Sequence, residues 1–155
     1  MEIRRAKLSD AAAVGRLFLL FWDSHKGVDP LLKLKKKPTL KSEIEQAKKW
    51  IRKRKTVMFV ATESDSVIGY IEATTKKSAP IFKVKRSGYI EAVVVDKKYR
   101  NSGVGKSLVL HALDYFKKRG IRNVKANVYF SNKSAVQFWK KAGFKDISKN
   151  VITSI

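Results

Sequence analysis

The residues best suited to chemistry lie around a glycine-rich turn. Gly103 and Gly105 are flanked by Arg100 and Lys106, and the β-branched run at positions 93–95 comes shortly before them. The positions that follow carry apolar residues with a helical period, so the pattern predicts a strand, a polar turn and a helix. The first backbone amides of a helix are free, and together with the helix dipole they favour phosphate. The sequence therefore predicts an anion-binding site at this turn.

Spacing distinguishes three known kinds of phosphate loop. A nucleoside-triphosphate P-loop needs a glycine where this chain has Arg100. A dinucleotide-binding fingerprint needs a third glycine at the position of Leu108. The pattern that fits is Arg-x-x-Gly-x-Gly after an apolar strand. It resembles the pyrophosphate loop of the GNAT superfamily of acetyl-CoA-dependent N-acetyltransferases.

A second segment strengthens this resemblance. Residues 132–144 read Asn-Lys-Ser-Ala-Val-Gln-Phe-Trp-Lys-Lys-Ala-Gly-Phe and follow the apolar run from Val124 to Phe130. They are similar to the family pattern Asn-x-x-Ala-x-x-Phe-Tyr-x-Lys-x-Gly-Phe, with Trp139 in place of the tyrosine. The interval between the two motifs holds one predicted helix, Val104 to Arg119, and one strand, which also suits the family.

The elements that would hold these motifs are visible along the chain. Val57 to Glu63 and Val67 to Thr75 flank a short polar turn and predict an antiparallel hairpin. Ser87 to Asp96 is the next predicted strand, and helix, strand and helix follow it, which makes the sheet locally parallel. The tail from Phe144 to Ile155 predicts one or two short closing strands.

Together the patterns and the resemblance imply a single N-acetyltransferase domain over residues 1–155. The expected class is α+β in three layers, α/β/α, with a GNAT-like mixed and largely antiparallel sheet of six or seven strands and about four helices. The expected order is β1-α1-α2-β2-β3-β4-α3-β5-α4-β6, with a further β7. A second helix is expected to be capped by Thr39 or Ser42, and Ser9 is the expected cap of the first.

The resemblance also implies acetyl-CoA as co-substrate and a set of residues that contact it. The strand at positions 93–95 would offer its backbone to the pantetheine arm, and the loop would hold the pyrophosphate. Asn132 would hydrogen-bond the arm or cap the following helix, and Trp139 would form part of the cofactor wall or pack in the core. The predicted cofactor-binding residues are Val93, Val94, Val95, Arg100, Asn101, Ser102, Gly103, Val104, Gly105, Lys106, Asn132 and Trp139.

Acetyl transfer to an amine needs a group that removes the amine proton. Glu91 is the candidate base, because it lies in a mainly apolar strand that leads to the loop; Glu72 on the neighbouring strand is the second choice. An ordinary ion-paired glutamate is the alternative interpretation of Glu91. The family often uses a tyrosine as proton donor to the leaving thiolate at the place of Trp139, so here Tyr129 or water would serve, or no acid is needed.

The net charge of the chain indicates which kinds of binding partner to expect. Thirty-five Lys and Arg against thirteen Asp and Glu give a net charge of +22. This excess indicates contact with nucleic acid, a ribosome or an acidic protein, steering of an anionic cofactor, or a thermophile-like surface. The acceptor is predicted to be a protein lysine or N-terminal amine, since such a protein repels polyamines unless acidic residues cluster locally. The alternative function is a basic nucleic-acid or ribosome-associated binding module on the same fold with weak or no catalysis.

Several classes of protein are excluded by composition. The chain has no cysteine and two isolated histidines, so no disulfide, thiolate nucleophile or metal cluster is expected. No run reaches the roughly 18 apolar residues that a membrane span needs. The apolar run from Ala11 to Trp22 is interrupted by Arg16 and is not followed by a cleavage site for a signal peptidase. The sequence predicts a cytoplasmic protein.

Overall fold

A computed structural model describes residues 1–28, 34 and 36–153. Within these ranges the chain forms five strands and four α-helices, accompanied by two short 3-10 turns at Leu8–Asp10 and Lys97–Tyr99. The elements are β1 (Glu2–Arg5), α1 (Ala11–Ser24), α2 (Leu40–Arg52), β2 (Thr56–Glu63), β3 (Ser66–Lys77), β4 (Arg86–Val95), α3 (Val104–Lys118), β5 (Val124–Ala126) and α4 (Lys133–Lys141). Up to α4 this is the predicted order.

The sheet has the order β1-β2-β3-β4-β5, and each strand pairs with its neighbours in sequence. The first three pairings are antiparallel, including the predicted hairpin of β2 and β3. The pairing of β4 with β5 is parallel because α3 carries the chain back across the sheet. The predicted α+β class with a mixed, largely antiparallel sheet is therefore confirmed.

Helices cover both faces of this sheet. On one face α1 and α2 pack over a cluster that includes Met58, Val60, Tyr70 and Val94. On the other face α3 packs over a larger cluster, whose members include Phe59, Ile71, Ile90, Leu108 and Phe116. The apolar stripe predicted for α1 is the surface it buries, with Val14 and Leu17 almost fully inaccessible to solvent. The layers are thus α/β/α, as expected.

The predicted closing strands are wrong for the part of the tail that the structure describes. Residues 144–153 contain no strand, and Ile147 and Val151 are 72% and 86% exposed. The physical reason lies in the neighbouring edge: β5 spans three residues rather than the predicted Val124 to Phe130, so it offers little backbone for another strand to pair with. The sheet therefore has five strands here instead of six or seven.

Two helix caps were predicted, and one of them is wrong. Thr39 caps α2, where its hydroxyl accepts from the amide of Ser42 (3.2 Å) and the Ser42 hydroxyl accepts from the amide of Thr39 (3.0 Å). Ser9, in contrast, lies inside the 3-10 turn before α1, and Asp10 occupies the cap position. None of the described helices is long and apolar enough to cross a bilayer.

Candidate functional site

The sheet opens between β4 and β5. Their register consists of Gly88 with Val124, Tyr89 with Lys125 and Ile90 with Ala126. Beyond this point β4 continues to Val95 while pairing only with β3 among the described strands. The backbone of positions 92–95 therefore has one edge turned away from β3, available for hydrogen bonds to an extended ligand. This stretch includes positions 93–95, which were predicted to contact a pantetheine arm.

The turn after β4 leads directly into the start of α3. Gly103 is the N-cap residue and has φ +87°, a left-handed conformation that glycine adopts without strain. The first intrahelical bond of this turn runs from the amide of Ser107 to the carbonyl oxygen of Gly103 (3.0 Å). The amides of positions 104–106 precede it and have no partner within the helix. Open space surrounds Gly103, with no atom within 4 Å of the place where a Cβ would stand. The loop thus fits a phosphate group.

Side chains of the loop fix its path from β4. The Arg100 Nε donates to the carbonyl oxygen of Val95 (3.2 Å), which places the exposed guanidinium at the end of the strand. Asp96 accepts a hydrogen bond from the amide of Lys98 (3.0 Å) and so caps the 3-10 turn. The Ser102 hydroxyl donates to the carbonyl oxygen of Tyr99 (2.6 Å). Arg100 is therefore held at the end of β4 by this hydrogen bond, where its charge would favour a phosphate at the turn.

The second glycine of the loop serves packing. A Cβ on Gly105 would lie 3.1 Å from the Phe138 Cε2 and 3.6 Å from the Val95 Cγ2. The Phe138 ring of α4 thus packs against the first turn of α3 because this position has no side chain. Trp139, the next residue, makes edge contacts with Phe138 (5.2 Å between ring centroids) and Phe144 (4.8 Å). Trp139 therefore packs, partly buried, against the larger cluster, and its role in a cofactor wall stays a prediction.

Asn132 caps α4. Its Oδ1 accepts from the amide of Ala135 (3.1 Å) and from the hydroxyl of Ser134 (3.0 Å). The capping role predicted as one of two alternatives is thus observed, and it uses the oxygen of the side chain. A role for the amide nitrogen of Asn132 toward a pantetheine arm stays a prediction.

Glu91 occupies a β-bulge. The register of β3 with β4 passes from Glu72 with Ala92 to Ala73 with Ile90, so Glu91 is the extra residue. Its side chain is 33% exposed, and its Oε1 lies 3.0 Å from the Lys76 Nζ. The same ammonium stands 3.5 Å from the ring centroid of Tyr89. The candidate base is therefore ion-paired and also projected from the sheet where β4 and β5 part, so both interpretations of this glutamate remain open.

Glu72 has a different environment. It is 6% exposed, and its Oε1 is buried with no hydrogen-bond partner among the described residues. Burial raises the pKa of the Glu72 carboxyl to about 7, helped by the negative charge of Glu91 and opposed by Lys53. Tyr70, two residues earlier on the same face, is buried as well, and its hydroxyl pKa is raised well above the usual value by burial and then by Glu72 and Glu43.

Tyr129 lies in the segment that follows β5. Its ring centroid is 6.1 Å from that of His25 at the end of α1. With Trp139 it lines a cavity of about 840 Å³ between β5, α4 and the tail, and the residues that line this cavity do not include Glu91 or the loop at 100–106. The segment after β5 is nevertheless tied to β4, since the Tyr89 hydroxyl donates to the Asn127 Oδ1 (2.7 Å).

The structure thus brings the loop and the end of β4 together, and it places Glu91 next to Glu72 in a second cluster on the α1–α2 face. Sequence reasoning missed one residue, Lys76, and one contact, that of Phe138 with Gly105. Lys76 follows Glu72 by four positions, so the alternation of a strand could have placed both on one face. The contact of Phe138 with Gly105 joins two helices that are distant in sequence, and no local pattern signals it.

An α+β fold whose sheet opens beside the glycine-led start of α3 defines the class of this protein. The sequence matches the Acetyltransferase (GNAT) family over residues 17–144. The chain belongs to this family. Its members transfer an acetyl group from acetyl-CoA, so the predicted class of acyltransferase and the predicted co-substrate are confirmed at the level of the family.

Curated relatives carry related descriptions. An uncharacterised N-acetyltransferase of Methanocaldococcus jannaschii is 32% identical over 99 residues, which are 63% of this chain and 43% of the relative. N-alpha-acetyltransferase 30 of Schizosaccharomyces pombe is 30% identical over 86 residues, 56% of this chain and 55% of the relative. A peptidyl-lysine N-acetyltransferase of Salmonella typhimurium is 31% identical over 84 residues, 54% of each chain. The matches thus span about half the length of these relatives.

Solved structures share the fold. A Bacillus halodurans protein superposes with a TM-score of 0.88 at 20% identity, with both chains fully covered. An aminoglycoside N-acetyltransferase in complex with CoA has a TM-score of 0.78 at 14% identity, covering 99% of this chain and 93% of that one. At these identities the likeness shows the fold.

Proposed function

We propose that this protein is an N-acetyltransferase that transfers the acetyl group of acetyl-CoA to a primary amine. The observation that carries the proposal is the continuous path from the free edge of β4 to the amides at the start of α3. An extended ligand with a pyrophosphate at one end matches both parts of this path.

Different groups of the chain are proposed to bind different parts of acetyl-CoA. The amides of positions 104–106 and the guanidinium of Arg100 bind the pyrophosphate, while Asn101 and Ser102 shape the turn and Lys106 adds charge. The backbone of positions 93–95 pairs with the pantetheine arm. Val104 contributes its amide alone, since its side chain is buried in the core. When bound, acetyl-CoA supplies a thioester whose carbonyl carbon accepts the amine.

Proton removal decides the rate of such a transfer. A free alkylammonium has a pKa near 10.4, so forming the neutral amine at pH 7 costs about 4 to 5 kcal/mol. Glu91 is proposed to take this proton. The amine nitrogen then bonds to the acetyl carbon as the carbon–sulfur bond breaks. The second amine proton goes to solvent or to the thiolate, giving an amide and the free thiol.

The leaving group needs little assistance. A thiol has a pKa near 8.5, so its thiolate is a tolerable leaving group near neutral pH. Trp139 is partly buried against the larger cluster, and its indole can donate a hydrogen bond but cannot act as a general acid near neutral pH. Tyr129 is the proposed donor, and water is the alternative.

The acceptor is proposed to be a protein amine, a lysine side chain or an N-terminus. The names of two relatives, a peptidyl-lysine N-acetyltransferase and an N-alpha-acetyltransferase, support this class. A cytoplasmic location accords with such substrates and stays a prediction.

Isothermal titration of the nucleic-acid-free protein with acetyl-CoA tests the function. We expect micromolar binding by the wild type and its loss in the double variant Arg100→Ala, Gly103→Val. The matched control is Arg122→Ala, Gly120→Val, which removes one arginine and strains one left-handed glycine (φ +72°) at the opposite end of α3. Equal losses in both variants, or no binding by the wild type, would contradict the proposal.

Nucleic-acid contact is the second candidate function, and the connector between β3 and β4 favours it. Ile81 and Phe82 are 87% and 60% exposed there, among the basic residues Lys77, Lys83, Lys85 and Arg86. Basic side chains around an exposed aromatic ring suit a single strand of RNA or DNA. Fluorescence anisotropy with a labelled oligonucleotide should show strongly salt-dependent affinity that falls in Phe82→Ala. Unchanged affinity in that variant would leave only nonspecific charge attraction.

A further inference from the structure

A second cavity lies at the end of the sheet away from the glycine loop. Arg5 ends β1, and Thr56, the first residue of β2, pairs with Thr74 near the end of β3. These positions line a cavity of about 200 Å³, to which the end of α3 contributes Tyr115 and Arg119. Because β4 runs from this end of the sheet to the glycine loop, the cavity and the loop lie at opposite ends.

The charged residues that line this cavity are all cations. They are Arg5, Arg54, Lys55 and Arg119. All four are exposed, and none of them forms an ion pair with an acid in the described part of the chain. Asp114, an acid of the same region of α3, is engaged by Lys118 (2.7 Å). An anion in the cavity would be attracted by all four cations and would reduce their mutual repulsion.

The end of a helix does not explain this arrangement. Cations in the last turn of a helix are favoured by its dipole, which accounts for Arg119 and for its neighbours Lys117 and Lys118. Arg5, however, comes from β1, and Arg54 comes from the turn between α2 and β2. Three segments that are distant in sequence therefore supply the positive charge of the cavity.

Two contacts hold the walls of the cavity in place. The Thr74 hydroxyl donates to the carbonyl oxygen of Lys55 (2.9 Å), which ties the turn before β2 to β3. The guanidinium carbon of Arg119 lies 5.0 Å from the ring centroid of Tyr115, and that ring packs edge-on against Phe59 (5.4 Å). A guanidinium that rests on an aromatic ring keeps its N–H groups available for an oxyanion. Arg119 is therefore positioned to bind one.

Size and charge together indicate the class of ligand. Sites for drug-sized molecules usually measure about 300–1,000 Å³, so this cavity fits a small anion or the charged end of a larger molecule. Arginine binds the oxygens of phosphate or carboxylate in a bidentate manner. Among four cations, a phosphate group gains more than a carboxylate because it carries more negative charge.

We propose that this cavity binds a phosphate group and is a second anion site, separate from the glycine loop. The phosphate belongs to a free phosphorylated compound or to the backbone of a nucleic acid, and the basic connector between β3 and β4 begins at this same end of the sheet. The site gives part of the net charge of +22 a local function. It does not depend on the binding of acetyl-CoA, which the loop at the other end is proposed to hold.

A titration with inorganic pyrophosphate, followed by ¹⁵N–¹H NMR, tests where the anion binds. The amides of residues 54–56, 73–75 and Arg119 should shift in a saturable manner, both without acetyl-CoA and with acetyl-CoA in excess. Shifts confined to residues 101–106, or shifts that do not saturate, would overturn the inference. If the wild type does not bind acetyl-CoA, the proposed function fails, and the titration without acetyl-CoA still decides this inference.

Variants separate the cavity from the general charge of the protein. Arg54→Gln and Arg119→Gln should each weaken pyrophosphate binding at this site by about tenfold, as the loss of a charge-assisted hydrogen bond predicts. The matched control Arg16→Gln removes the same charge from an exposed position of α1 and should bind as the wild type does. Equal weakening in all three variants would show attraction to net charge alone and would overturn the inference.

A fluorescently labelled single-stranded oligonucleotide distinguishes the two sources of phosphate. If its affinity falls in Arg119→Gln and pyrophosphate displaces it, the cavity takes a phosphate of a nucleic-acid strand. If it binds equally to the wild type and to Arg119→Gln while pyrophosphate binding is weakened, the cavity takes a free phosphorylated compound. Both results support a phosphate site.

Discussion

Lys76 and Glu91 form an ion pair between β3 and β4, with the Lys76 Nζ 3.0 Å from the Glu91 Oε1, at the bulge where β4 begins to part from β5. The pair is half exposed, so its net contribution to stability is about 1 kcal/mol or less. Its greater importance is positional, because it holds a carboxylate at the opening of the sheet.

The first prediction separates that carboxylate from its ion pair. Glu91→Gln should lower kcat by about 10²- to 10⁴-fold if Glu91 is the base, without a change in acetyl-CoA affinity. Lys76→Met breaks the same ion pair but keeps the carboxylate, so kcat should fall far less. Steady-state kinetics with an amine found by screening would measure both. Similar kcat values in the two variants would remove Glu91 from the mechanism.

The second prediction concerns the pH dependence of stability. Glu72 has a pKa of about 7 in the folded protein, above the value near 4.3 of an unfolded chain. At a pH between these two pKa values, the folded state keeps a proton on Glu72 that the unfolded state has lost. The free energy of unfolding therefore falls as the pH rises through this range. The glutamine in Glu72→Gln does not titrate, so this variant does not become less stable over this pH range. It should be more stable than the wild type by about 1 to 3 kcal/mol at pH 8 and about equal to it at pH 4.

Urea unfolding at the two pH values would measure that difference. If Glu72→Gln is stabilised equally at pH 4 and pH 8, the pKa of Glu72 is not raised in the folded protein.

A third prediction tests the packing of α4 on the loop. Gly105→Ala places a methyl group 3.1 Å from the Phe138 Cε2, so the ring must move by a few tenths of an ångström. Phe138→Leu should relieve this contact. We expect a coupling energy of about 0.5 to 1 kcal/mol between the two changes in a double-mutant cycle followed by urea unfolding. Additive effects would mean that Phe138 does not press on this glycine.

The fourth prediction concerns an ion pair far from the site. The Arg4 guanidinium donates two hydrogen bonds to the Asp10 carboxylate, at 2.8 and 3.0 Å, and the amide of Lys7 donates a third at 2.7 Å. Asp10 is 7% exposed, and the hydrogen bonds from Arg4 lower its pKa despite burial. Asp10→Asn should cost about 2 to 3 kcal/mol at pH 7.

That cost should depend on pH in the opposite direction to Glu72. Because the pKa of Asp10 is lower in the folded protein than its value near 3.9 in an unfolded chain, the ionised carboxylate stabilises the fold at a pH above that unfolded pKa. This stability is lost as the pH falls through the folded pKa. The stabilities of the wild type and Asp10→Asn should therefore converge as the pH falls below the lowered pKa of Asp10. Asp23→Asn is the control, because it breaks an exposed pair with Lys26 (2.6 Å) and should change thermal unfolding little. A similar loss in both variants would contradict a special role for Asp10.

Local patterns in the sequence predicted much of the fold and the family of this protein. Alternation predicted the hairpin of β2 and β3, helical period predicted α1 and α3, and the spacing of Arg100, Gly103 and Gly105 predicted the family. These features depend on neighbours along the chain, so they can be recognised without knowing the fold. Asn132 illustrates the limit, because a cap and a ligand contact require the same residue type.

Only the tertiary structure decided what the side chains meet. It showed that the second glycine of the loop accommodates Phe138, that Glu91 is the extra residue of a bulge paired with Lys76, and that the tail at 144–153 adds no strand. It also buried Glu72 without a hydrogen-bond partner among the described residues, in a chain where lysines outnumber acids. Composition gives the average charge of a protein, whereas the charge at a site depends on which residues the strands bring together.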